Sequence, residues 1–357
     1  GAHRGFGSSR FCSNQSPCAR SFVRMASRVA IGAGAAAAAV GATAWFISSP
    51  GKPKNSAFVF VKPHAVTDKT NKLVHDRLIS KGLKVTSEGT LTSEVIDEKK
   101  LIDQHYYAIA SKATILKPHE LNIPKDKFKA SFGREWDDAL QAGLCVNAMD
   151  ACKEFGCDAD ELNKGWAAAK KAGKLVKFGG GFYCGQVSLN GKELYVFNGF
   201  FMTMRSAFTA PGKSIHYYTV EWDPAKLSWE DFRGKVLGPT DPKEAPADSL
   251  RGEILAKWRE LGLGGEPNVG DNGVHASASP FEGVAERLNW LGKRCTHDSY
   301  CKALLNAGIK EKTINAWSVD PQVKIDPAGK KGSLFDALED LDAQACIDKA
   351  KALQAMQ

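Results

Sequence analysis

Apolar and polar positions change period along this chain, and the period predicts its elements. Residues 57–61, AFVFV, are continuously apolar, the pattern of a strand covered on both faces. Lys62 and Pro63 end it. Over 70–81 the apolar residues Leu73, Val74, Leu78 and Ile79 recur at helical spacing, and Gly82 stops the helix. Leu83, Val85 and Leu91 mark a second strand over 83–91. A helix is predicted from Asp97 through Ile102, Tyr106 and Ile109. Ile215–Trp222, IHYYTVEW, alternates as a third strand. Ser228 is placed to cap a helix carrying Trp229, Phe232 and Val236, and a proline-rich loop follows at 238–253. A short apolar element leads into His275, and a helix is predicted over about 280–291. This order fits an α+β fold, a ferredoxin-like (βαββαβ) antiparallel sheet backed by helices.

Two regions lie outside that order. Residues 113–197 read as an insertion, with helices at 134–155 and 160–173 and a hairpin at 187–197, VSLNGKELYVF, turning at Asn-Gly. The glycines of KFGGGFYCG (177–185) lack the GK(S/T) of a phosphate loop and read as a turn. After 292 the chain predicts a helical C-terminal extension, 293–357, with helices at 299–307 and 333–355.

Charge changes the picture only at the N-terminus. The chain has 357 residues and a formal net charge of +8. No acidic residue precedes Asp68, while Arg4, Arg10, Arg20, Arg24, Arg28, Lys52 and Lys54 are basic, so the remainder is close to neutral. Bulk charge therefore gives no case for a nucleic-acid partner. Residues 1–28, rich in Arg and Ser, have the composition of an organelle targeting leader. Residues 29–47 carry no charge. As a helix they would rise about 28 Å, near the thickness of a bilayer core. A transmembrane anchor is expected there, with a cleaved targeting segment or a soluble Ala-rich helix as alternatives. The expected location is an organelle membrane, mitochondrial in preference to plastid. SSPGKPKN (48–55) reads as a linker.

The nine cysteines show no CxxC pairs with matching partners, so they read as reduced thiols rather than a structural zinc framework. Cys295 and Cys301 are spaced to pair in an oxidising compartment.

Candidate chemistry gathers in four stretches taken in chain order: FVFVKPHAV (58–66), QHYYAIA (104–110), LGPTDPKEAPADSLRGE (237–253) and NGVHASAS (272–279). Arg251 follows Thr240 by eleven residues, and Glu286 follows His275 by eleven. These stretches resemble the nucleoside diphosphate kinase family: its Lys-Pro pair after the first strand, its Glu-His-Tyr helix, its Leu-Gly-x-Thr-x-Pro loop, and its Asn-x-x-His-(Gly/Ala)-Ser-Asp-(Ser/Ala) signature. GFFMTMRSAFTAPG (199–212) is similar to the helix and turn that follow the family's Tyr. The resemblance spans about 57–112 and 198–292, which makes 57–292 a kinase-like region interrupted by the insertion.

The resemblance implies a γ-phosphoryl transfer from a nucleoside triphosphate to a nucleoside diphosphate through a phosphohistidine at His275. Histidine suits that task as a neutral nucleophile near pH 7. Glu286, steadied by Ser277, would hold its other ring nitrogen, and Tyr106 would face the transferred group. Lys62, Thr240, Arg251, Asn272, Phe200 and Arg233 would bind the nucleotide, with Phe200 as the base-stacking aromatic. Mg²⁺ would come on the nucleotide phosphates, with no direct protein ligand. A homo-oligomer or a membrane protein complex is the implied assembly. The alternative is a weak or inactive accessory subunit of an organellar membrane complex. Three positions depart from the family pattern: Gly234 stands where the family has Arg, Arg233 sits one place early, and Ala278 replaces Asp.

Overall fold

The computed structural model of the protein describes residues 52–357. Its strands, in chain order, are β1 (Asn55–Val61), β2 (Lys84–Thr92), β3 (Cys145–Asn147), β4 (Leu175–Gly179), β5 (Phe182–Leu189), β6 (Lys192–Phe197), β7 (Ser214–Trp222), β8 (Val274–Ala276), β9 (Gln322–Lys324) and β10 (Lys331–Ser333). The main sheet has the order β2-β7-β1-β8, every neighbouring pair antiparallel. This is the ferredoxin-like arrangement, and the fold is α+β.

The unbroken apolar run of β1 follows from its place. All seven of its residues are buried. Ala57, Val59 and Val61 point into a core with Tyr218, Val220, Trp229, Leu250 and Val274. Phe58 and Phe60 point the other way, among Ile96, Ile102, Phe208, Ile215 and Trp290. Each of these Val and Phe side chains contributes about 1.5–3 kcal/mol on burial. At the sheet edge, β2 alternates exposed and half-buried positions, as one wetted face requires.

The predicted helix from Asp97 through Ile109 is instead a series of short pieces, Ser93–Glu98, Leu101–His105 and Tyr107–Ala110. Lys100 takes a left-handed conformation (φ 52°) and Tyr106 leaves the helical region. The bends turn Leu101, Ile102 and Asp103 inward. Buried Asp103 accepts from Arg205 Nε at 3.0 Å and from Thr114 Oγ1 at 2.6 Å. That ties this segment to the Phe201–Thr209 helix across the insertion.

The insertion builds a second sheet of order β3-β6-β5-β4. Asn190 and Gly191, with φ of 50° and 78°, make the predicted Asn-Gly turn between β5 and β6. The single helix predicted over 134–155 is two, Trp136–Gln141 and Ala148–Phe155, with β3 between them. Gly143 (φ 68°) ends the first, and Asn147 caps the second through Asp150 N at 2.8 Å.

In the C-terminal segment the helix predicted over 333–355 divides into Leu334–Leu338 and Ala343–Met356. The short hairpin β9–β10 was not predicted. These elements share one apolar cluster with Phe281 and Val284, so they complete the core around the Pro280–Leu291 helix. Cys295 and Cys301 form a disulfide. Arg287 and Asp298 form a buried ion pair beside it.

Two expectations about the N-terminal region change. Asn55 belongs to β1 and is buried, so no linker extends to it. Among the described residues no helix is long and apolar enough to cross a membrane, so the expected transmembrane helix finds no support there. The segment named for it, 29–47, and the leader, 1–28, lie outside the described residues.

Candidate active site

His275 sits at the centre of β8, paired with Phe60 of β1. Its ring stacks on that of Phe60 at 4.7 Å, and the His105 ring meets it edge-on at 4.7 Å. The side chain keeps 18% exposure. Just beyond β8, Ser279 accepts from Glu282 N at 3.1 Å and Pro280 occupies the first turn, so a helix starts here. Gly283 lets that helix lie directly on the sheet: a Cβ there would stand 2.7 Å from the Ser56 carbonyl oxygen.

Helix and strand thus converge. Glu286 Oε1 lies 2.6 Å from His275 Nε2. Ser277 Oγ donates to Glu286 Oε2 at 2.5 Å, and the serine is fixed in turn by Phe58 N, which donates to its Oγ at 2.9 Å. An ionised Glu286 accepting from both partners assigns the tautomer: Nε2 carries the proton and Nδ1 keeps the lone pair. Burial, then Lys62, Arg251 and Arg233, holds the His275 pKa well below its ordinary value, so the ring is neutral at pH 7. Burial pushes Glu286 up, against His105, Ser277 and Arg287.

His105 completes the cluster and was not among the site residues expected from sequence, although it stands beside Tyr106 in the quoted motif. Its Nδ1 accepts from Trp290 Nε1 at 3.3 Å and lies 3.4 Å from Glu286 Oε1. Burial and the neighbouring His275 push its pKa down to about 3. Ligand atoms of His105, His275 and Glu286 fall within 4.8 Å of one another. Two imidazoles and a carboxylate are a transition-metal donor set rather than a Mg²⁺ set.

Seven of the residues expected from sequence line two clefts. A cleft of about 460 Å³ holds His275, Thr240, Arg251 and Arg233. Another of about 600 Å³ holds Lys62, Tyr106 and Phe200, with Asn163 of the insertion in its wall. Asn272, just before β8, donates to Thr240 O at 3.0 Å. Its Oδ1 is buried without a partner. Burial, then Arg251, lowers the Lys62 pKa to about 8. Tyr106 meets His105 edge-on at 4.6 Å, and burial with Glu286 and Glu282 raises its hydroxyl to about 12. Phe200 packs against Trp166 and Tyr183 while lining its cleft.

The two arginines are engaged differently from the expectation. Arg251 lies on the Leu250–Lys257 helix rather than in a loop. Its Nε and Nη2 donate to Val274 O at 3.2 and 3.0 Å, and Nη1 donates to Gly238 O at 2.9 Å. It carries a buried positive charge with carbonyls as partners, and burial with Arg233 lowers its pKa to about 10. Arg233 Nη1 donates to Glu339 at 2.6 Å and to Asp340 at 2.7 Å. Sequence gave no sign of those partners, which lie more than a hundred residues away. His64 is a further unexpected contact, its Nε2 accepting from Gly273 N at 3.1 Å beside the site loop.

No protein-family model matches the chain, and no curated protein matches it in sequence. Among solved structures the chain is similar to the nucleoside diphosphate kinase of Aquifex aeolicus, with 13% identity, a TM-score of 0.33, and coverage of 67% of this chain and 95% of that one. It is similar to nucleoside diphosphate kinase from Encephalitozoon cuniculi, with 12% identity, a TM-score of 0.32, and coverage of 67% and 90%. An NDP kinase from Pyrobaculum aerophilum gives 16% identity, a TM-score of 0.32, and coverage of 67% and 96%. These similarities are distant, and no family is assigned to the chain from them.

Proposed function

We propose that this chain is a nucleotide phosphotransferase that works through a phosphohistidine at His275. The observation that carries the reading is the His275–Glu286 contact at 2.6 Å, which commits Nε2 and leaves Nδ1 as the nucleophile. Nδ1 attacks the γ-phosphorus of a nucleoside triphosphate; a P–N bond forms, the bridging P–O bond breaks, and the diphosphate leaves. A second diphosphate then takes the phosphoryl group by the reverse step. Lys62, Arg251 and Arg233 bring positive charge around the ring, where negative charge must be held. The cleft beside Phe200 has the aromatic wall and volume for a base. Mg²⁺ carried on the phosphates would neutralise part of their charge. Incubation of the protein with ATP and GDP tests the reading by GTP formation.

The pairing of Arg233 with two carboxylates favours a second reading, an accessory protein without turnover. It predicts no GTP formation and no labelled histidine.

The carboxylate sets the pH dependence. Glu286 must be ionised to accept from Nε2–H, and its pKa is raised from 4.5 to about 7. Turnover therefore rises as pH passes through about 7, with one proton released. Folding stability runs the other way: the folded state binds this proton more tightly, so the carboxyl's contribution declines as pH rises from 4.5 to about 7. Glu286→Gln, which still accepts from Nε2–H, is expected to erase the acidic limb of the rate profile. A limb that persists in the Gln variant contradicts the assignment.

A further inference from the structure

The cleft that holds His275 already contains anions supplied by the chain. Glu339 and Asp340 line it together with Arg233 and Arg251. Both carboxylates accept from the same Arg233 nitrogen, at 2.6 and 2.7 Å. Carboxylate and phosphate oxygens are alternative acceptors for a guanidinium. The turn that presents them is built rather than incidental. The Leu334–Leu338 helix ends at Glu339, and Asp340 adopts a left-handed φ of 58°. Asp340 N donates to Ala278 O at 3.0 Å, next to Ser277. Asp342 Oδ1 accepts from Asn55 Nδ2 at 2.7 Å and from Trp229 N at 2.8 Å. The turn is thus held at Asp340 N and through the Asp342 side chain, while the Glu339 and Asp340 side chains keep 44% and 43% exposure.

We propose that Glu339 and Asp340 regulate this cleft as built-in competitors of phosphate, holding Arg233 until an anionic ligand displaces them. The inference rests on the phosphotransferase reading of the cleft. Competition comes from two side chains that swing away, and the C-terminal segment stays in place. Truncation is therefore the wrong test, because it strips Cys346, Ile347, Ala350 and Leu353 from the cluster that includes Phe281.

The test is calorimetric titration of the full chain with inorganic tripolyphosphate. Glu339→Gln/Asp340→Asn keeps the shape of both side chains, and asparagine tolerates the left-handed turn. The double variant is expected to bind tripolyphosphate about tenfold more tightly than the parent, and to gain nothing in an Arg233→Ala background. Should the double variant fail to fold, Asp340→Asn alone carries the test, with about threefold tightening expected. Unchanged or weaker binding, an equal gain without Arg233, or no measurable binding by any variant overturns the proposal. Tighter tripolyphosphate binding without ATP-dependent labelling of His275 leaves the competition standing and removes the phosphotransferase reading. Labelling of His275 with unchanged binding does the reverse.

Discussion

Replacement of His275 by alanine is expected to lower ATP-dependent formation of GTP from GDP by at least about 10³-fold. The expectation follows from what surrounds the ring. No other neutral nucleophile in the cluster has a free nitrogen in place, since His105 Nδ1 already accepts from Trp290. The loss should not come from unfolding. His275 is a partly exposed residue on a three-residue strand, and β1 remains paired with β7 along its full length. Unchanged far-ultraviolet circular dichroism would separate lost chemistry from lost structure. Turnover that survives the substitution would remove His275 from the reaction.

Arg287→Ala is expected to cost about 3–5 kcal/mol of folding stability, the range for breaking a buried ion pair. Arg287 and Asp298 are 2% and 3% exposed. Arg287 Nε and Nη2 donate to Asp298 at 2.6 and 3.1 Å, and Nη1 donates to Ser56 O at 3.1 Å. One guanidinium thus joins the helix that carries Glu286 to β1 and to the C-terminal segment. Alanine would leave Asp298 buried with only the backbone N–H groups of Tyr300 and Cys301. Urea unfolding followed by tryptophan fluorescence measures the loss. The double variant Arg287→Met/Asp298→Leu is expected to lose less than the single one, because it leaves no unpaired charge. A double variant at least as unstable as the single would show that the pair acts through something other than buried charge.

Much of the fold was legible because its signals are local. The apolar run at 57–61 marks the central strand, and the Leu73, Val74 and Leu78 spacing marks a helix whose Val74 and Leu78 are buried. The eleven-residue step from His275 to Glu286 is legible as strand, cap and helix, and the structure closes it at 2.6 Å. What stayed hidden is long-range. Nothing near Arg233 names Glu339 or Asp340, and nothing near Arg251 says that its donors go to the Val274 and Gly238 carbonyls. Helical spacing runs past the true ends wherever a single residue turns the chain, as Lys100, Gly143 and Asp340 do with positive φ. The three residues of β3 carry no period; its strand state comes from its partner β6.

The phosphotransferase reading stands or falls on where phosphate goes. The full chain, incubated with [γ-³²P]ATP and Mg²⁺, is expected to take up an acid-labile, base-stable label. Phosphorus NMR of the unlabelled counterpart is expected to place the phosphoryl group on Nδ1 of His275, because Nε2 is held by Glu286. An acid-stable label, a label on another residue, or no label at all would contradict the account.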